Sequence, residues 1–316
     1  MKKNKKIIQE NIIIDKFLKR LNFNKKETFD FKNDGALLKP KNNHDIVVTN
    51  DAIIENIDFF KKDSPESIAQ KIVTVNLSDL SSMGAMPYSY TLSLTLTSNL
   101  GDNWIKRFTQ SLYNLQKRYN FFLLGGDIGK SELLNISANF YGYVKKNNIL
   151  TRNNSKIGDS VWVTGNIGQS YIGLLIKQKK IFIKKQIEKY FINKYLFPKP
   201  CMLGSSILNL ANSCIDISDG FIGDLTKLLS KKKGVDLFYT QIPFSKNVKK
   251  IISDKIVDPD LILNAGDDYG IIFTSSSKND QKIIKIAKKN SKKITKVGKI
   301  IEKEGIFVDK KKFMIN

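Results

Sequence analysis

Acidic side chains stand beside glycine or small polar residues at several places in this sequence, and four of those places are predicted to be loops or the ends of helices and strands. The motifs are Asn33-Asp34-Gly35, Asn50-Asp51, Ser78-Asp79, Gly125-Gly126-Asp127 and Asp216-Ile217-Ser218-Asp219-Gly220. Small neighbours let a phosphate or a hydrated ion approach the backbone. Several carboxylates without histidine or thiolate suit Mg²⁺, a hard cation that prefers oxygen ligands. Because proteins hold nucleotide polyphosphates with such ions, the set indicates phosphoryl chemistry.

Taken singly, most of these motifs have an equally good structural explanation, because an aspartate at the end of a strand is often a turn residue or a helix N-cap. Asp216 and Asp219 lie three residues apart at the predicted start of a helix and could act as caps. Asp79 is harder to explain in this way, because it falls in the middle of the apolar face of a predicted amphipathic helix. That face consists of Ile68, Ile72, Val75, Asp79 and Met83. A carboxylate withdrawn from water is costly unless something pairs with it.

Lysine dominates the charge of the chain, which has 316 residues, 53 Lys+Arg, 30 Asp+Glu and a net charge of +23. A nucleic-acid binder and a globular enzyme of biased composition both fit this excess. Nucleic-acid binders cluster their basic residues, with arginine for base edges and aromatic residues for stacking. Here the lysines are spread along the chain and arginine is scarce. Compositional bias is the preferred interpretation, so specific nucleic-acid binding is not expected, and the positive field favours anionic substrates.

The remaining composition excludes several kinds of site. The single histidine, His44, rules out a Ser-His-Asp triad and most histidine metal sites. Cys201 and Cys214 are the only cysteines, so neither a disulfide scaffold nor a cysteine zinc site is supported. The first residues, MKKNKKIIQENIII, lack the pattern of a secretory signal, and no apolar run is long enough to span a bilayer. We expect a soluble, cytoplasmic protein.

Strand-like and helix-like segments alternate around the acidic motifs. Strand-like runs occupy 45–49, 90–98, 121–124, 132–144, 235–239 and 269–273, and helical patterns occupy 104–119, 171–175 and 221–229. The stretch GGDIGKS at 125–131 is similar to a phosphate-binding P-loop, but Leu124 stands where that motif needs glycine and a strand follows, so we reject a P-loop. The polar residues 145–158 are the candidate boundary between domains 1–150 and 151–316. The predicted fold class is mixed α/β (α+β).

Five stretches resemble the motifs of thiamine-monophosphate kinases in order and spacing: NLSDLSSMGA, GGD, ILTR before GDSVWVTG, IDISDG and AGDDYGIIF. These kinases share a superfamily with aminoimidazole-ribonucleotide synthetase (the PurM-like proteins), selenophosphate synthetase and the hydrogenase-maturation dehydratase. The resemblance covers about residues 30 to 300. It implies direct in-line transfer of the γ-phosphoryl group of ATP to thiamine monophosphate, giving thiamine diphosphate. It also implies an N-terminal domain that binds ATP and Mg²⁺ and forms a barrel with a second subunit, and a C-terminal α+β domain that closes over the nucleotide.

The resemblance implies roles for individual residues. The Mg²⁺ cluster would comprise Asp34, Thr49, Asn50, Asp51, Asp79, Asp127, Asp216 and Asp219, with Asp79 bridging several ions. The ATP-binding residues would be Gly126, Asp127, Arg152 and Ser218, and the thiamine monophosphate side would include Asp58 and Asp267. No covalent protein nucleophile is expected, because the acceptor phosphate is already anionic and the protein has to align it with ATP and offset their repulsion.

The sequence departs from the pattern of the family mainly on the thiamine side. The family's GDD loop is here Lys32-Asn33-Asp34, Asn50 and Ile128 replace threonines, Asp58 replaces a histidine, Lys130 replaces an arginine, Asp267 replaces a glutamate, and the C-terminal stacking aromatic has no clear counterpart. Two alternatives therefore stay open. One is another ATP-using member of the superfamily, although selenophosphate synthetase is disfavoured because the N-terminal region has no cysteine. The other is a catalytically silent, basic relative that binds nucleic acid.

Overall fold

The computed structural model describes residues 10–313, which fold as two compact units. Within these described residues, the first unit consists of 10–76 together with Pro87–Tyr143, and the second of Leu77–Met86 together with 144–313. The predicted boundary between residues 150 and 151 stays a prediction. The expectations about a secretory signal and about the C-terminal aromatic fall partly on residues 1–9 and 314–316, which lie outside the described residues.

The first unit is built on a four-stranded sheet. The elements up to the end of this sheet are α1 (Glu10–Ile13), β1 (His44–Ile54), α2 (Pro65–Ser82), β2 (Met86–Thr97), α3 (Asp102–Tyr119), β3 (Phe122–Ser131) and β4 (Asn135–Lys145), with short π- and 3-10-helical turns within 14–31. The strand order is β1-β4-β2-β3, and β2 and β3 run parallel. The last residues of α2 belong to the second unit.

An aromatic cluster and an amphipathic helix form the core of the first unit. Tyr90 stacks on Phe140 with ring centroids 4.8 Å apart, and Phe121 meets Tyr90 edge-on. Helix α3 buries Ile105, Phe108, Leu112 and Leu115 at helical spacing. It ends where Lys117 favours the helix dipole and Asn120 adopts a left-handed conformation. The helix predicted at 104–119 is therefore confirmed.

The second unit contains a seven-stranded sheet. Its elements are β5 (Ser160–Thr164), α4 (Gln169–Lys177), α5 (Lys185–Leu196), α6 (Gly204–Ile207), β6 (Ala211–Asp216), α7 (Phe221–Lys227), β7 (Gly234–Leu237), α8 (Lys246–Ser253), α9 (Pro259–Asn264), β8 (Ile271–Ser275), α10 (Asp280–Lys289), β9 (Ile294–Ile301), β10 (Gly305–Val308) and β11 (Lys311–Lys312). The strand order is β11-β10-β7-β9-β5-β8-β6. Neighbouring strands are antiparallel except β10 and β7, which are parallel.

Both faces of this second sheet are covered. Val161 and Val163 of β5 belong to one hydrophobic cluster, and Trp162 between them belongs to another. Because successive strand residues point to opposite faces, the two clusters lie on opposite sides of the sheet. Within residues 10–313, no helix combines the length and the apolar character needed to cross a membrane.

The mixed α/β prediction is confirmed, but two predicted strand ends are wrong. Strand β3 continues through Gly125-Gly126-Asp127 to Ser131 instead of stopping at Leu124, and β1 continues through Asn50-Asp51 to Ile54. These two acidic motifs therefore lie within strands and not at their ends. The rejected P-loop, residues 125–131, is strand as well.

Candidate functional site

Three of the predicted site residues line one cavity of the first unit. Asp34, Gly126 and Asp127 border a cavity of about 260 Å³, which also contacts Leu92 and Leu123. Asp34 lies in the loop before β1, and Asp127 is an exposed residue of β3. Two exposed carboxylates beside apolar side chains suit a ligand with one apolar part and one positively charged end. The structure thus brings the sequence-predicted Asp34 and Asp127 together.

Gly126 has a structural reason to be glycine. It pairs with Leu92 of β2 in the parallel ladder. A Cβ added at Gly126 would lie 1.8 Å from the carbonyl oxygen of Leu92, so only glycine allows the two backbones to approach this closely. At neighbouring Gly125 an added Cβ would meet no atom within 4 Å. Gly126 therefore presents bare backbone to the cavity, which would let a phosphate approach closely.

The predicted ligands on β1 do not all face the same way. Thr49 is buried, Asn50 exposed and Asp51 half-buried. Since strand residues alternate between faces, Asn50 lies opposite Thr49 and Asp51. The Asn50 side chain donates to the Asn139 Oδ1 of β4 at 2.8 Å. A metal bound by Thr49 and Asp51 would therefore meet Asn50 only through its backbone, and the role of Asn50 stays a prediction.

Asp58 closes the turn that follows β1. Its Oδ2 accepts the backbone N–H of Ile54 at 2.8 Å, and its carbonyl oxygen accepts from the ammonium of Lys71 at 2.6 Å. These contacts give Asp58 a structural role in the first unit. Its predicted contact with the substrate stays a prediction.

In the second unit, Asp79 and Asp216 form a pair of interacting carboxylates. Asp216 ends β6 and is 2% exposed, and the hydroxyl of Ser78 donates to its Oδ2 at 3.0 Å. Burial, with the nearby charge of Asp79, raises the pKa of Asp216 to about 7, while Ser78 and the positive charge of Arg152 act in the opposite direction. Asp79 is half-buried and lies in the last turn of α2, which ends at Ser82. Asp79 therefore lies within a helix, as predicted, although the helix ends only three residues later.

This pair fits a bound cation. A positive ion between Asp79 and Asp216 would offset both their repulsion and the cost of burying Asp216. The donors are all oxygen atoms, as Mg²⁺ prefers. Across residues 10–313, however, no three His, Cys, Asp or Glu side chains are grouped closely enough to hold a metal on their own. The described ligands are thus distributed between the two units, and their membership of one cluster stays a prediction.

Asp219, another predicted ligand, is already paired. It lies in the loop between β6 and α7, and the Lys227 ammonium of α7 forms an ion pair with it. Lys227 also bonds Asp224 at 2.8 Å, so the lysine links two carboxylates. Neither Lys227 nor Asp224 was predicted from the sequence. An aspartate within the apolar pattern Phe221, Leu225, Leu228 was the signal that could have found Asp224.

The loop that carries Asp267 lies against the loop that carries Ser218. The Asp267 N–H donates to the Ser218 carbonyl oxygen at 3.0 Å, and the Tyr269 hydroxyl donates to Asp267 Oδ1 at 2.6 Å. Asp267 and Tyr269 both adopt positive φ, at 68° and 49°. Such strained conformations persist where surrounding contacts enforce them, and they cluster at functional sites. The structure therefore brings the predicted substrate residue Asp267 and the predicted ATP residue Ser218 together.

A second cavity, which sequence reasoning missed, adjoins this loop. It measures about 230 Å³ and is lined by Asp267, Asp268, Tyr269 and four lysines, Lys194, Lys199, Lys292 and Lys293. Asp268 accepts the N–H of Gly168 at 2.6 Å, at the start of α4. Burial raises the pKa of Asp268 to about 7 although backbone donors oppose the shift. Burial and the neighbouring Lys199 lower the pKa of Lys194.

Comparison with known protein families identifies the class of protein to which this fold and these residues belong. The family described as AIR synthase related protein, N-terminal domain, matches residues 32–144, and its C-terminal domain matches residues 156–311. The two matches cover most of the chain in the same order, so it belongs to the class of AIR synthase-related, PurM-like proteins.

Individual relatives narrow the class. The thiamine-monophosphate kinase of Buchnera aphidicola subsp. Schizaphis graminum is 38% identical over 92% of this chain and 91% of its own. The crystal structure of thiamine-monophosphate kinase from Stenotrophomonas maltophilia K279a, 26% identical, covers 97% of this chain and 98% of its own with a TM-score of 0.87. ThiL of Aquifex aeolicus complexed with AMPPCP and TMP, 26% identical, covers 90% and 89% with a TM-score of 0.77. The chain belongs to the thiamine-monophosphate kinase family, which confirms the resemblance seen in the sequence.

Proposed function

We propose that this protein phosphorylates thiamine monophosphate with ATP, in the presence of Mg²⁺, to give thiamine diphosphate. The observation that carries the proposal is similarity at 38% identity along 92% of the chain to a thiamine-monophosphate kinase. A ThiL protein of the same fold was crystallised with AMPPCP, a non-hydrolysable ATP analogue, and TMP, which supports ATP as co-substrate. The two pairs of carboxylates described above would supply oxygen ligands for the Mg²⁺ that such a reaction uses.

The reaction needs alignment and charge compensation more than a reactive side chain. Both the acceptor phosphate and the triphosphate of ATP are anionic, so they repel each other on approach. Bound Mg²⁺ would neutralise the charge that develops on the transferred group. In the second unit, Mg²⁺ would be held by Asp79 and Asp216. In the first unit, Mg²⁺ would be held by Asp34, Asp51 and Asp127.

Residues of the chain itself supply the remaining contacts. The positive charge of Arg152 acts to lower the pKa of Asp216, and its guanidinium would oppose the negative charge of a phosphate bound there. The Ser218 hydroxyl and the bare backbone at Gly126 would contact phosphate oxygens, and Asp267 would contact the acceptor. In-line transfer requires donor and acceptor to be held on opposite sides of the transferred group. Pairing of two copies through the first unit is part of the proposal and rests on the resemblance. Action in the cytoplasm is also part of it and rests on the composition, which includes only two cysteines.

The test is incubation of the purified protein with ATP, MgCl2 and thiamine monophosphate, with products separated by chromatography. We expect thiamine diphosphate and ADP in equal amounts, and none without Mg²⁺. Unphosphorylated thiamine as acceptor is the matched control and should give no product. If the protein binds AMPPCP but forms no thiamine diphosphate, thiamine monophosphate is not the acceptor, and the assignment of ATP as the nucleotide still stands.

A further inference from the structure

A buried carboxylate organises the loop between β6 and α7. Asp224, in the first turns of α7, is 0% exposed. Its Oδ2 accepts three consecutive backbone N–H groups, from Ser218 at 3.0 Å, Asp219 at 2.9 Å and Gly220 at 3.1 Å. Its Oδ1 accepts from the Lys227 ammonium at 2.8 Å. One oxygen thus fixes the backbone of the loop, and the other holds the lysine that is ion-paired with Asp219.

This arrangement differs from an ordinary helix cap. A cap precedes the helix and accepts N–H groups of its first turn. Asp224 instead lies inside the helix and reaches backward to N–H groups that precede it. Gly220 permits the reversal, because it adopts a φ of 138° and an added Cβ would lie 2.5 Å from the Asn264 carbonyl oxygen. The backbone of the loop is therefore fixed by a buried side chain of the helix that follows it.

The consequence concerns the groups that the loop can offer to a ligand. The N–H groups of Ser218 and Asp219 are used by Asp224, and the Ser218 carbonyl oxygen is used by Asp267. The side-chain groups that these two residues present are the Ser218 hydroxyl and the Asp219 carboxylate. Lys227 forms an ion pair with Asp219 and so fixes that carboxylate from the same helix.

We infer that Asp224, together with Lys227, is a positioning residue that sets the Ser218 hydroxyl and the Asp219 carboxylate for the Mg²⁺-bound phosphates of ATP. Asp224 holds the backbone of the loop, and Lys227 holds its exposed acidic side chain. Neither touches the nucleotide. The inference rests on the proposed function for the identity of the ligand, and on the contacts above for the geometry.

Asp224→Asn tests the inference, because the substitution keeps the shape of the side chain but removes its charge and turns one N–H donor toward Lys227. We expect faster hydrogen exchange at the Ser218–Gly220 amides and an affinity for AMPPCP, measured by calorimetry with MgCl2, that is weaker by about tenfold or more. Asp159→Asn is the matched control. Asp159 is a 3% exposed carboxylate of the same unit that accepts from Lys156 N–H at 2.9 Å. Its loss should lower the thermal midpoint but leave AMPPCP affinity within about twofold.

Lys227→Met keeps the inference testable if Asp224→Asn fails to fold. The lysine side chain is 39% exposed, so its loss should spare the fold. It should still weaken AMPPCP binding by about threefold or more, since Asp219 is released. AMPPCP affinity equal to that of Asp159→Asn in both variants would overturn the positioning role. A wild-type protein that binds no AMPPCP would overturn the proposed function and this role together. A wild-type protein that binds AMPPCP but makes no thiamine diphosphate would overturn only the assignment of thiamine monophosphate as the acceptor.

Discussion

Asp79 repels Asp216, and this repulsion gives a direct test of the metal assignment. Asp79→Asn removes one of two neighbouring carboxylates, so the pKa of Asp216 should fall and folding should be unchanged or improved. Affinity for AMPPCP in MgCl2 should fall by more than about tenfold, because a ligand to the cation is lost. Thermal midpoint without ligand and calorimetric affinity with ligand measure the two effects separately.

The control for this variant is Asp254→Asn, which removes an exposed carboxylate that is paired with Lys250 on the surface of the second unit. Exposed ion pairs contribute little, so neither the midpoint nor the affinity should change appreciably. If Asp79→Asn retained normal turnover and AMPPCP affinity, Asp79 would not be a metal ligand.

Asp268 predicts a pH dependence of folding stability. Its folded pKa of about 7 lies above the ordinary value of 3.8, so the folded protein holds this proton more tightly than the unfolded chain. The free energy of unfolding therefore falls as pH rises between these two values and levels off above about 7. Asp268→Asn cannot titrate and should lack this fall.

Urea unfolding at pH 5, 6, 7 and 8 measures the difference. Relative to Asp268→Asn, the wild type should lose on the order of 2 kcal/mol between pH 5 and pH 8. The amide can still accept the Gly168 N–H, so the variant should fold. If the free energies of unfolding of the two proteins vary in parallel with pH, the Asp268 carboxyl group has its ordinary pKa.

At this scale the sequence predicts acidic ligands better than their partners. Asp34, Asp127, Asp79 and Asp216 stand out because carboxylates recur beside small residues, and the structure brings them together in pairs. Asp224 and Lys227 belong to residue types that are common on any helix. The place of Asp224 in an apolar pattern marks it, but its partners, and any role for Lys227, depend on a loop conformation that periodicity does not reveal.

Strand β3 shows what glycine contributes to an element. A strand interior disfavours glycine, so the pattern predicts an end at Leu124. The strand instead continues because Gly126 lets β2 approach. Gly126→Ala would force the two strands apart, and we expect a loss of roughly 1–3 kcal/mol in the free energy of unfolding, measured by urea titration.

The neighbouring residue provides the control. Gly125→Ala adds the same methyl group to the same strand, where no atom lies within 4 Å, and should change stability by less than about 1 kcal/mol. Equal losses of unfolding free energy in the two variants would mean that the conformational propensity of the residue, and not the close approach to Leu92, determines the cost of substitution in this strand.

The division of the whole chain was only partly accessible to sequence reasoning. The division into domains 1–150 and 151–316 stays a prediction, whereas the mixed α/β class and the kinase resemblance follow from element order and motif order. The grouping of Leu77–Met86 with the second unit does not, because α2 is one continuous helix in sequence. This grouping nevertheless matters, since it carries Asp79 into the unit that contains Asp216.

The net charge of +23 is a property of the entire molecule and carries the last prediction. Lysines that are spread along the whole chain attract any polyanion, so the protein should bind a short DNA duplex at low salt. Counterion release makes such binding collapse as salt rises, because it depends on phosphate contacts alone. Dedicated binders retain submicromolar affinity near physiological salt. Fluorescence anisotropy at about 50 and 150 mM KCl should therefore show weak binding that is lost at the higher salt.

AMPPCP binding provides the comparison within the same molecule. A nucleotide held by a few short-range contacts and Mg²⁺ should lose far less affinity over that salt range, because interactions in a site partly shielded from solvent are screened less than those across an open surface. The two salt slopes therefore separate a kinase with a lysine-rich surface from a nucleic-acid binder. Submicromolar affinity for the DNA duplex that persists at about 150 mM KCl would favour a nucleic-acid binder.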